Sequence, residues 1–209
     1  MNAREVVLRR VRDALELAPS DPVTVPRDYR FGRGLPDAER LDLLVDRLED
    51  YRADVRRCTA DETPQAVAGA LAASGARRVA VPEGLDRGWL SGFDGDVQVD
   101  SPSAPATGLD GFDGVVTGCA VASAETGTLF LDAGPTQGRR ALTLVPDLHV
   151  CVVALSAVVV GVPEAVARLT PDRPTTLISG PSATSDIELE RVEGVHGPRT
   201  LRVVIQTDA

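Results

Sequence analysis

The sequence contains no lysine, so all 22 basic residues in a chain of 209 are arginines. Chemistry that depends on a lysine amine, such as Schiff-base catalysis or the P-loop ammonium that contacts a nucleotide phosphate, is therefore excluded. The 31 acidic residues leave a formal net charge of −9. An acidic chain without a basic stripe matches a nucleic-acid backbone poorly, so we expect no nucleic-acid partner.

Cysteine is scarce, and the three cysteines, Cys58, Cys119 and Cys151, lie far apart without a C-x-x-C pair. This spacing excludes a ferredoxin-type iron–sulfur motif and a structural zinc site built by this chain alone. The two histidines also lack matched ligand spacing, so we expect no metal site. An odd number of cysteines, two of them in apolar runs, predicts reduced and packed thiols in a cytosolic protein.

Long hydrophobic runs are absent as well. The longest, residues 150–162, is interrupted by Ser156 and Gly161 and is shorter than the ~18 residues typical of a membrane span. The first residues carry no apolar signal core. With 43% hydrophobic and 25% charged residues the chain can still bury a core. We therefore expect a soluble, cytoplasmic protein.

Sequence fingerprints of common cofactor sites are missing too. No G-x-G-x-x-G segment follows a predicted strand, and no Walker or G-x-S-x-G sequence occurs. We expect no cofactor bound through this chain's own motifs.

Two helices are predicted at the start of the chain. Val7, Val11 and Leu15 fall on one face of the first, which Pro19 ends, and Leu41, Leu44 and Leu48 form the stripe of the second. The residues between them are rich in proline and predict an extended arm. We place an N-terminal helix and arm at residues 1–36 and an α/β domain at 37–209. Both helices could pack on the main domain, or they could contact another chain.

After residue 55, short strands alternate with helices. Thr63 is predicted as a helix N-cap with Pro64 at the first helical position, and Gly75 as the end of that helix. Apolar segments predict strands at residues 77–81, 97–99, 115–117, 127–131, 149–154, 175–179 and 201–206, and a short helix at 163–169. This alternation is typical of an α/β domain with a mostly parallel sheet and flanking helices.

Glu125 is the first candidate for chemistry. It is the only acidic residue between Asp113 and Asp132, and small and apolar residues surround it in the sequence. Burial would disfavour its charged form, which suits an acid, a base or a nucleophile. The alternative is a structural role, in which Glu125 caps the turn before a strand.

The second candidate is the segment 178–188, which predicts a strand, a tight turn and a helix start. Ser185 and Glu188 fit a capping box, and Thr184 is an alternative cap. A helix N-terminus at the carboxyl edge of the sheet would bind a carboxylate or a phosphate. Capping alone would also explain these residue types.

Histidine and arginine supply the remaining candidates. His196 lies in the segment G-V-H-G-P, whose glycines and proline are typical of a turn. His149 lies in an apolar strand and is interpreted as a satisfied structural histidine. Arg139 and Arg140 follow a Gly-Pro turn. Paired guanidinium groups can bind a carboxylate or a phosphate, or they can simply face solvent.

Four segments, in this order, resemble the LUD domain of bacterial lactate-utilisation proteins and specifically its short C-type subunit. They are A-E-T-G-T at 124–128, L-V-P-D-L-H at 144–149, G-P-S-A-T-S-D-I-E at 180–188 and G-V-H-G-P at 194–198. The similarity covers roughly residues 40–207. It implies a fold like that of ribose-phosphate isomerases, glucosamine-phosphate isomerases and coenzyme A transferases.

The resemblance also implies a role in oxidising L-lactate to pyruvate. The C-type chain of this family works beside a Cys-rich subunit and an iron–sulfur subunit that carries a LUD domain of its own, so iron–sulfur clusters are expected in the partners. Lactate oxidation releases two electrons, which need a redox carrier. We therefore expect a subunit of an oxidoreductase complex and not a complete dehydrogenase.

The expected site is a mouth for a small carboxylate formed by residues 125–128 and 182–186. The candidate catalytic residues are Glu125, Asp186 and His196. The candidate substrate-binding residues are Thr126, Gly127, Thr128, Gly180, Ser182, Thr184 and Arg139. Two alternatives stay open: a coenzyme A transferase-like or sugar-phosphate-binding enzyme that uses Glu125, and a non-catalytic assembly or regulatory protein.

Overall fold

The computed structural model describes residues 2–18, 24–29, 31, 34–184, 192–193 and 197–209. Its main feature is a six-stranded sheet in which every pairing is parallel, in the order β1-β12-β7-β4-β2-β3. The strands are β1 (Asp54–Cys58), β2 (Arg78–Val81), β3 (Asp96–Val99), β4 (Gly114–Gly118), β7 (Leu148–Ala154) and β12 (Thr200–Gln206). The predicted α/β class with a mostly parallel sheet is confirmed.

A second, four-stranded sheet was not predicted as such. It has the order β8-β5-β6-β9, with β5 at Val121–Ser123, β6 at Thr128–Leu131, β8 at Val158–Val159 and β9 at Thr176–Ile178. The pairs β5–β6 and β6–β9 are antiparallel. The strands predicted at 127–131 and 175–179 therefore exist, but they leave the parallel sheet because a tight turn reverses the chain after β5. A two-residue antiparallel pair, β10 (Ala183–Thr184) with β11 (Val192–Glu193), lies farther along.

Within the described ranges, four α-helices accompany the sheets: α1 (Ala3–Glu16), α2 (Asp37–Asp50), α3 (Thr63–Ala73) and α4 (Val162–Arg168). The predicted cap of α3 is wrong, because Thr63 is the first helical residue and Glu62 occupies the N-cap position. Thr63 is instead a buried link, whose hydroxyl donates to the Thr59 carbonyl and accepts from the Gln206 amide at 2.9 Å. The predicted end of α3 is confirmed, since Gly75 follows it with a φ of +66°.

The core lies on both faces of the large sheet, as the alternation along β7 shows. Val150 and Val152 pack with α3 on one face, whereas Cys151 and Val153 pack with α2 and the second sheet on the other. These strands are buried on both sides, as is typical of parallel sheets. Helix α1 differs, because none of its residues is buried. No helix in the described ranges is long and apolar enough to cross a membrane.

Candidate functional site

Two cavities in the described part of the chain are lined by some of the residues singled out by their chemistry. The first, which we call the histidine cavity, has a volume of about 230 Å³ and lies where β7 and β12 begin. Its lining includes Thr143, His149, Thr176, Ser179, Ser182 and Leu201. The second, which we call the arginine cavity, has a volume of about 840 Å³ and lies where β2 and β3 end. Its lining includes Glu83, Asp100, Gly134, Arg139, Arg140 and Arg173.

His149 is completely buried, which follows from its position in the apolar run of β7. Its Nε2 shares a hydrogen bond of 2.8 Å with Thr117 Oγ1 on the neighbouring strand, whereas Nδ1 has no hydrogen-bond partner within the described residues. Burial lowers the pKa of His149 from 6.5 to about 4, so the ring is neutral at pH 7. The interpretation of His149 as a histidine with its hydrogen bonds satisfied therefore holds for Nε2 and is wrong for Nδ1.

The prediction that Glu125 is buried among apolar residues is also wrong. Glu125 lies in the turn between β5 and β6, where its side chain is exposed and its backbone N–H donates to the Val160 carbonyl at 2.9 Å. The residues of β5 and β6 on either side of the turn are buried, whereas Glu125 in the turn is exposed. Its catalytic role stays a prediction, without the buried surroundings that motivated it.

The two threonines of this turn, Thr126 and Thr128, form hydrogen bonds with different parts of the structure. Thr126 is exposed, and its hydroxyl donates to Ser123 Oγ at 2.9 Å. Thr128 Oγ1 shares a hydrogen bond of 2.8 Å with Ser179 Oγ, and Ser179 lines the histidine cavity. Thr128 thus supports the wall of that cavity, while Thr126 stabilises the turn.

Gly127 and Gly180, both predicted to bind substrate, have a structural reason to be glycine. Each has a positive φ, +57° and +81°. A Cβ at Gly127 would lie 2.8 Å from Arg47 Cβ, and one at Gly180 would lie 2.6 Å from the Tyr51 carbonyl oxygen. Both turns therefore pack directly against the C-terminal end of α2, which has no room for a larger residue.

The anion site predicted in the segment after β9 stays a prediction. The chain is extended at Ala183–Thr184, and the predicted helix start at 185–188 lies outside the described residues. In addition, β9 belongs to the second sheet, and the histidine cavity lies at the amino ends of β7 and β12 instead of at a carboxyl edge. Gly180 and Ser182 line this cavity. Asp186, His196 and the Ser185–Glu188 capping box lie outside the described residues.

The arginine cavity occupies the position where parallel α/β sheets usually bind ligands, at the carboxyl ends of the strands. Arg139 Nε and Nη2 donate to the two carboxylate oxygens of Asp100 at 2.8 and 2.9 Å, and Nη1 donates to the Ala104 carbonyl at 2.6 Å. The Asp100 side chain is only 5% exposed. The hydrogen bonds that Arg139 donates to Asp100 raise the pKa of Arg139 further above its ordinary value, so the guanidinium is charged and fixed in orientation.

The other two arginines of this cavity differ in their partners. Arg173 Nη1 lies 3.5 Å from Asp132, a mostly buried carboxylate that also accepts from the Gly134 backbone N–H at 3.1 Å. Arg140 is exposed and forms no ion pair within the described part of the chain. The cavity therefore offers two oriented guanidinium groups and a third that is available to a ligand.

Sequence reasoning found Arg139 but missed Asp100 and Arg173. Asp100 directly follows β3, and that position at a carboxyl edge was the available signal. Arg139 and Ser182, predicted to share one substrate site, line different cavities with no lining residue in common.

Metal-binding groups are not assembled in the described ranges, which contain no cluster of three His, Cys, Asp or Glu side chains. All three cysteines are free thiols. A hydrogen bond with Cys119 and complete burial raise the pKa of Cys151 well above its usual range, so this thiol stays protonated.

Comparison with known proteins identifies related chains. The LUD domain family matches residues 109–206. A lactate utilization protein C from Deinococcus radiodurans is 48% identical over 193 residues, covering 90% of this chain and 89% of the relative. An uncharacterised protein from Neisseria meningitidis is 29% identical over 227 residues, 98% of this chain and 93% of its own length. A crystal structure of a DUF162 family protein from Deinococcus radiodurans matches with a TM-score of 0.70 and 43% identity, covering 82% of this chain and 98% of that one.

Proposed function

The chain belongs to the lactate utilization protein C family of LUD-domain proteins, and we propose that it serves lactate utilisation by binding a small carboxylate in the arginine cavity. The observation that supports this site is the set of guanidinium groups there. Arg139 is oriented by Asp100, whereas Arg140 forms no ion pair within the described residues. Planar guanidinium groups bind carboxylates with two parallel hydrogen bonds.

The test is calorimetric titration of the whole chain with L-lactate and with pyruvate. Arg140→Gln removes the available charge, and we expect at least a tenfold loss of affinity, because a charge-assisted hydrogen bond contributes about 1.5–3 kcal/mol. Arg87→Gln changes an exposed arginine outside both cavities and is the matched control. Unchanged affinity in Arg140→Gln, or no binding by the unmodified chain alone or with its partners, would contradict this site.

We further propose that the chain works as one subunit of an L-lactate-oxidising complex, beside the Cys-rich and iron–sulfur subunits that the family resemblance implies. Converting lactate to pyruvate removes two electrons and two protons, and the partner clusters would accept the electrons. Lactate-dependent reduction of a redox dye is therefore expected from the mixture of subunits and not from this chain alone. Full dye reduction by the isolated chain would contradict the proposal that the partner subunits accept the electrons.

A second candidate function, assembly of the complex, is favoured by helix α1. Val7, Val11 and Leu15 are 50–66% exposed on α1, which has no buried residue. We expect the double substitution Val7→Asp and Val11→Asp to abolish co-purification with the iron–sulfur subunit. Asp13→Asn, on the same helix, should leave co-purification unchanged. Equal recovery of both variants would exclude this role of α1.

The coenzyme A transferase-like alternative receives less support. A carboxylate nucleophile needs its covalent intermediate shielded from water, and the Glu125 side chain is exposed. Incubation with acyl-coenzyme A followed by hydroxylamine trapping and mass spectrometry tests it directly. We expect no modification of Glu125.

A further inference from the structure

The histidine cavity is distinct from the arginine cavity and contains an unusual acceptor. We propose that it is a second ligand site, for a small uncharged molecule whose hydroxyl group donates a hydrogen bond to Nδ1 of His149. This site does not depend on carboxylate binding in the arginine cavity. Three observations support it: the protonation pattern of the imidazole, the space beside it, and the chemistry of the lining.

The hydrogen-bond chain behind His149 favours one of the two neutral forms of the ring, with the proton on Nε2. The Thr117 hydroxyl donates to Cys151 Sγ at 3.9 Å, and the Cys151 thiol donates in turn to the Gly118 carbonyl at 3.8 Å. A hydroxyl has one proton, and with that proton directed to Cys151 the Thr117 Oγ1 accepts from His149, so we assign the 2.8 Å bond as Nε2–H to Oγ1. Nδ1 of the neutral ring is left with a lone pair, which accepts a hydrogen bond.

A buried acceptor without a partner is unfavourable by about 1–3 kcal/mol, and such groups are rare in native proteins. Nδ1 is fully buried and unpartnered within the described residues, and His149 is one of the residues that line a cavity of about 230 Å³. That volume exceeds the roughly 30 Å³ that one water occupies in the liquid. A ligand with a hydroxyl group would satisfy Nδ1 and fill space that a single water cannot.

The lining indicates an uncharged ligand. The described residues around the cavity include four hydroxyl side chains, Thr143, Thr176, Ser179 and Ser182, but no charged side chain. The imidazole itself is neutral because burial lowers its pKa to about 4. A carboxylate or phosphate would lose its hydration without gaining an opposite charge, whereas a hydroxyl or a carbonyl finds donors and acceptors here.

The experiment is ¹⁵N NMR of the histidine side chains in the full-length chain at pH 7. Two histidines occur in the sequence, so His196→Gln assigns both resonances. We expect His149 to be protonated on Nε2. Three probes of similar size are then titrated: L-lactamide, propionamide, which lacks the hydroxyl, and L-lactate, which is charged.

L-lactamide should shift the Nδ1 resonance of His149 to saturation, with at least a tenfold lower dissociation constant than propionamide. L-lactate should leave this resonance unchanged. The L-lactamide response should persist in Arg140→Gln, which separates this site from the carboxylate site, and it should weaken in Ser179→Ala. A proton on Nδ1, equal responses to L-lactamide and propionamide, a shift with L-lactate, or no shift with any probe would each overturn the proposal.

Discussion

At the scale of single residues, the buried imidazole of His149 couples folding to pH. Its pKa is about 4 in the folded chain and about 6.5 when exposed, so between these values only the unfolded state takes up the proton. Stability therefore falls as the pH decreases from about 6.5 to about 4, by on the order of 3 kcal/mol in total. We expect His149→Gln to lack this decrease when urea unfolding is measured at pH 7.0, 5.5 and 4.5.

Asp113 provides the control, because its titration lies in a different pH range. It accepts hydrogen bonds from the backbone N–H groups of Arg77 and Arg78 at 2.7 and 2.8 Å, and these lower its pKa below 3.8. The stability that the charged Asp113 side chain contributes is present above pH 3.8. It is lost as the pH falls through the lower pKa that Asp113 has in the folded chain. The free energy of unfolding of Asp113→Asn should consequently still decrease between pH 6.5 and pH 4. Loss of that decrease in Asp113→Asn would refute the assignment to His149.

A second residue-scale prediction concerns the support of Arg139. Asp100 is nearly buried and holds Arg139 through two hydrogen bonds. We expect Asp100→Asn to lower the free energy of unfolding by about 2 kcal/mol, because it leaves a partly buried guanidinium without its counter-charge. Asp96→Asn removes the partner of Arg78 in an exposed pair and should change stability by less than about 1 kcal/mol. Urea unfolding of both variants makes the comparison.

At the scale of elements, the turns at Gly127 and Gly180 anchor helix α2. Gly127→Ala combines a strained φ with a contact of 3.0 Å to the Arg47 backbone, and we expect it to lower stability by about 2–3 kcal/mol. Gly75 has a similar φ but open space around it, so Gly75→Ala should lower stability by about 1 kcal/mol. Equal losses in the two variants would show that Gly127 does not pack on α2 as described.

Local periodicity explains which elements could be predicted. Helix α2 and strands β4, β7 and β12 follow from strong apolar patterns, and all four were anticipated. The second sheet has strands of two to four residues, and β8 and β9 pair with strands that are distant in sequence, so local patterns do not show which partners they have. The exposure of Glu125 and the Asp100–Arg139 pair, 39 residues apart, likewise depend on tertiary contacts. The sequence therefore predicted which segments contain candidate site residues better than it predicted how those residues are arranged in space.

At the scale of the whole molecule, the large sheet joins two cores into one unit. Trp89 packs with the core that contains α3, and Cys151 belongs to the core that contains α2. Because strands β7 and β12 contribute to both, we expect the two cores to unfold together. Trp89 fluorescence and the reactivity of Cys151 toward a thiol reagent, mapped by mass spectrometry, should show the same urea midpoint. Separate midpoints would indicate two independent units.

The pairing of β1 with β12 has a consequence for how the protein is made. Asp54 and Arg202 are partners in this pairing although 148 residues separate them. On the ribosome, β1 and β7 emerge well before β12, the strand that lies between them. Until β12 arrives, each has an open edge that could pair with another chain, and the charged residues Asp54, Arg56 and Arg57 on β1 oppose such pairing. The main sheet thus stays incomplete until β12 has been synthesised, and the insertion of β12 between β1 and β7 closes it.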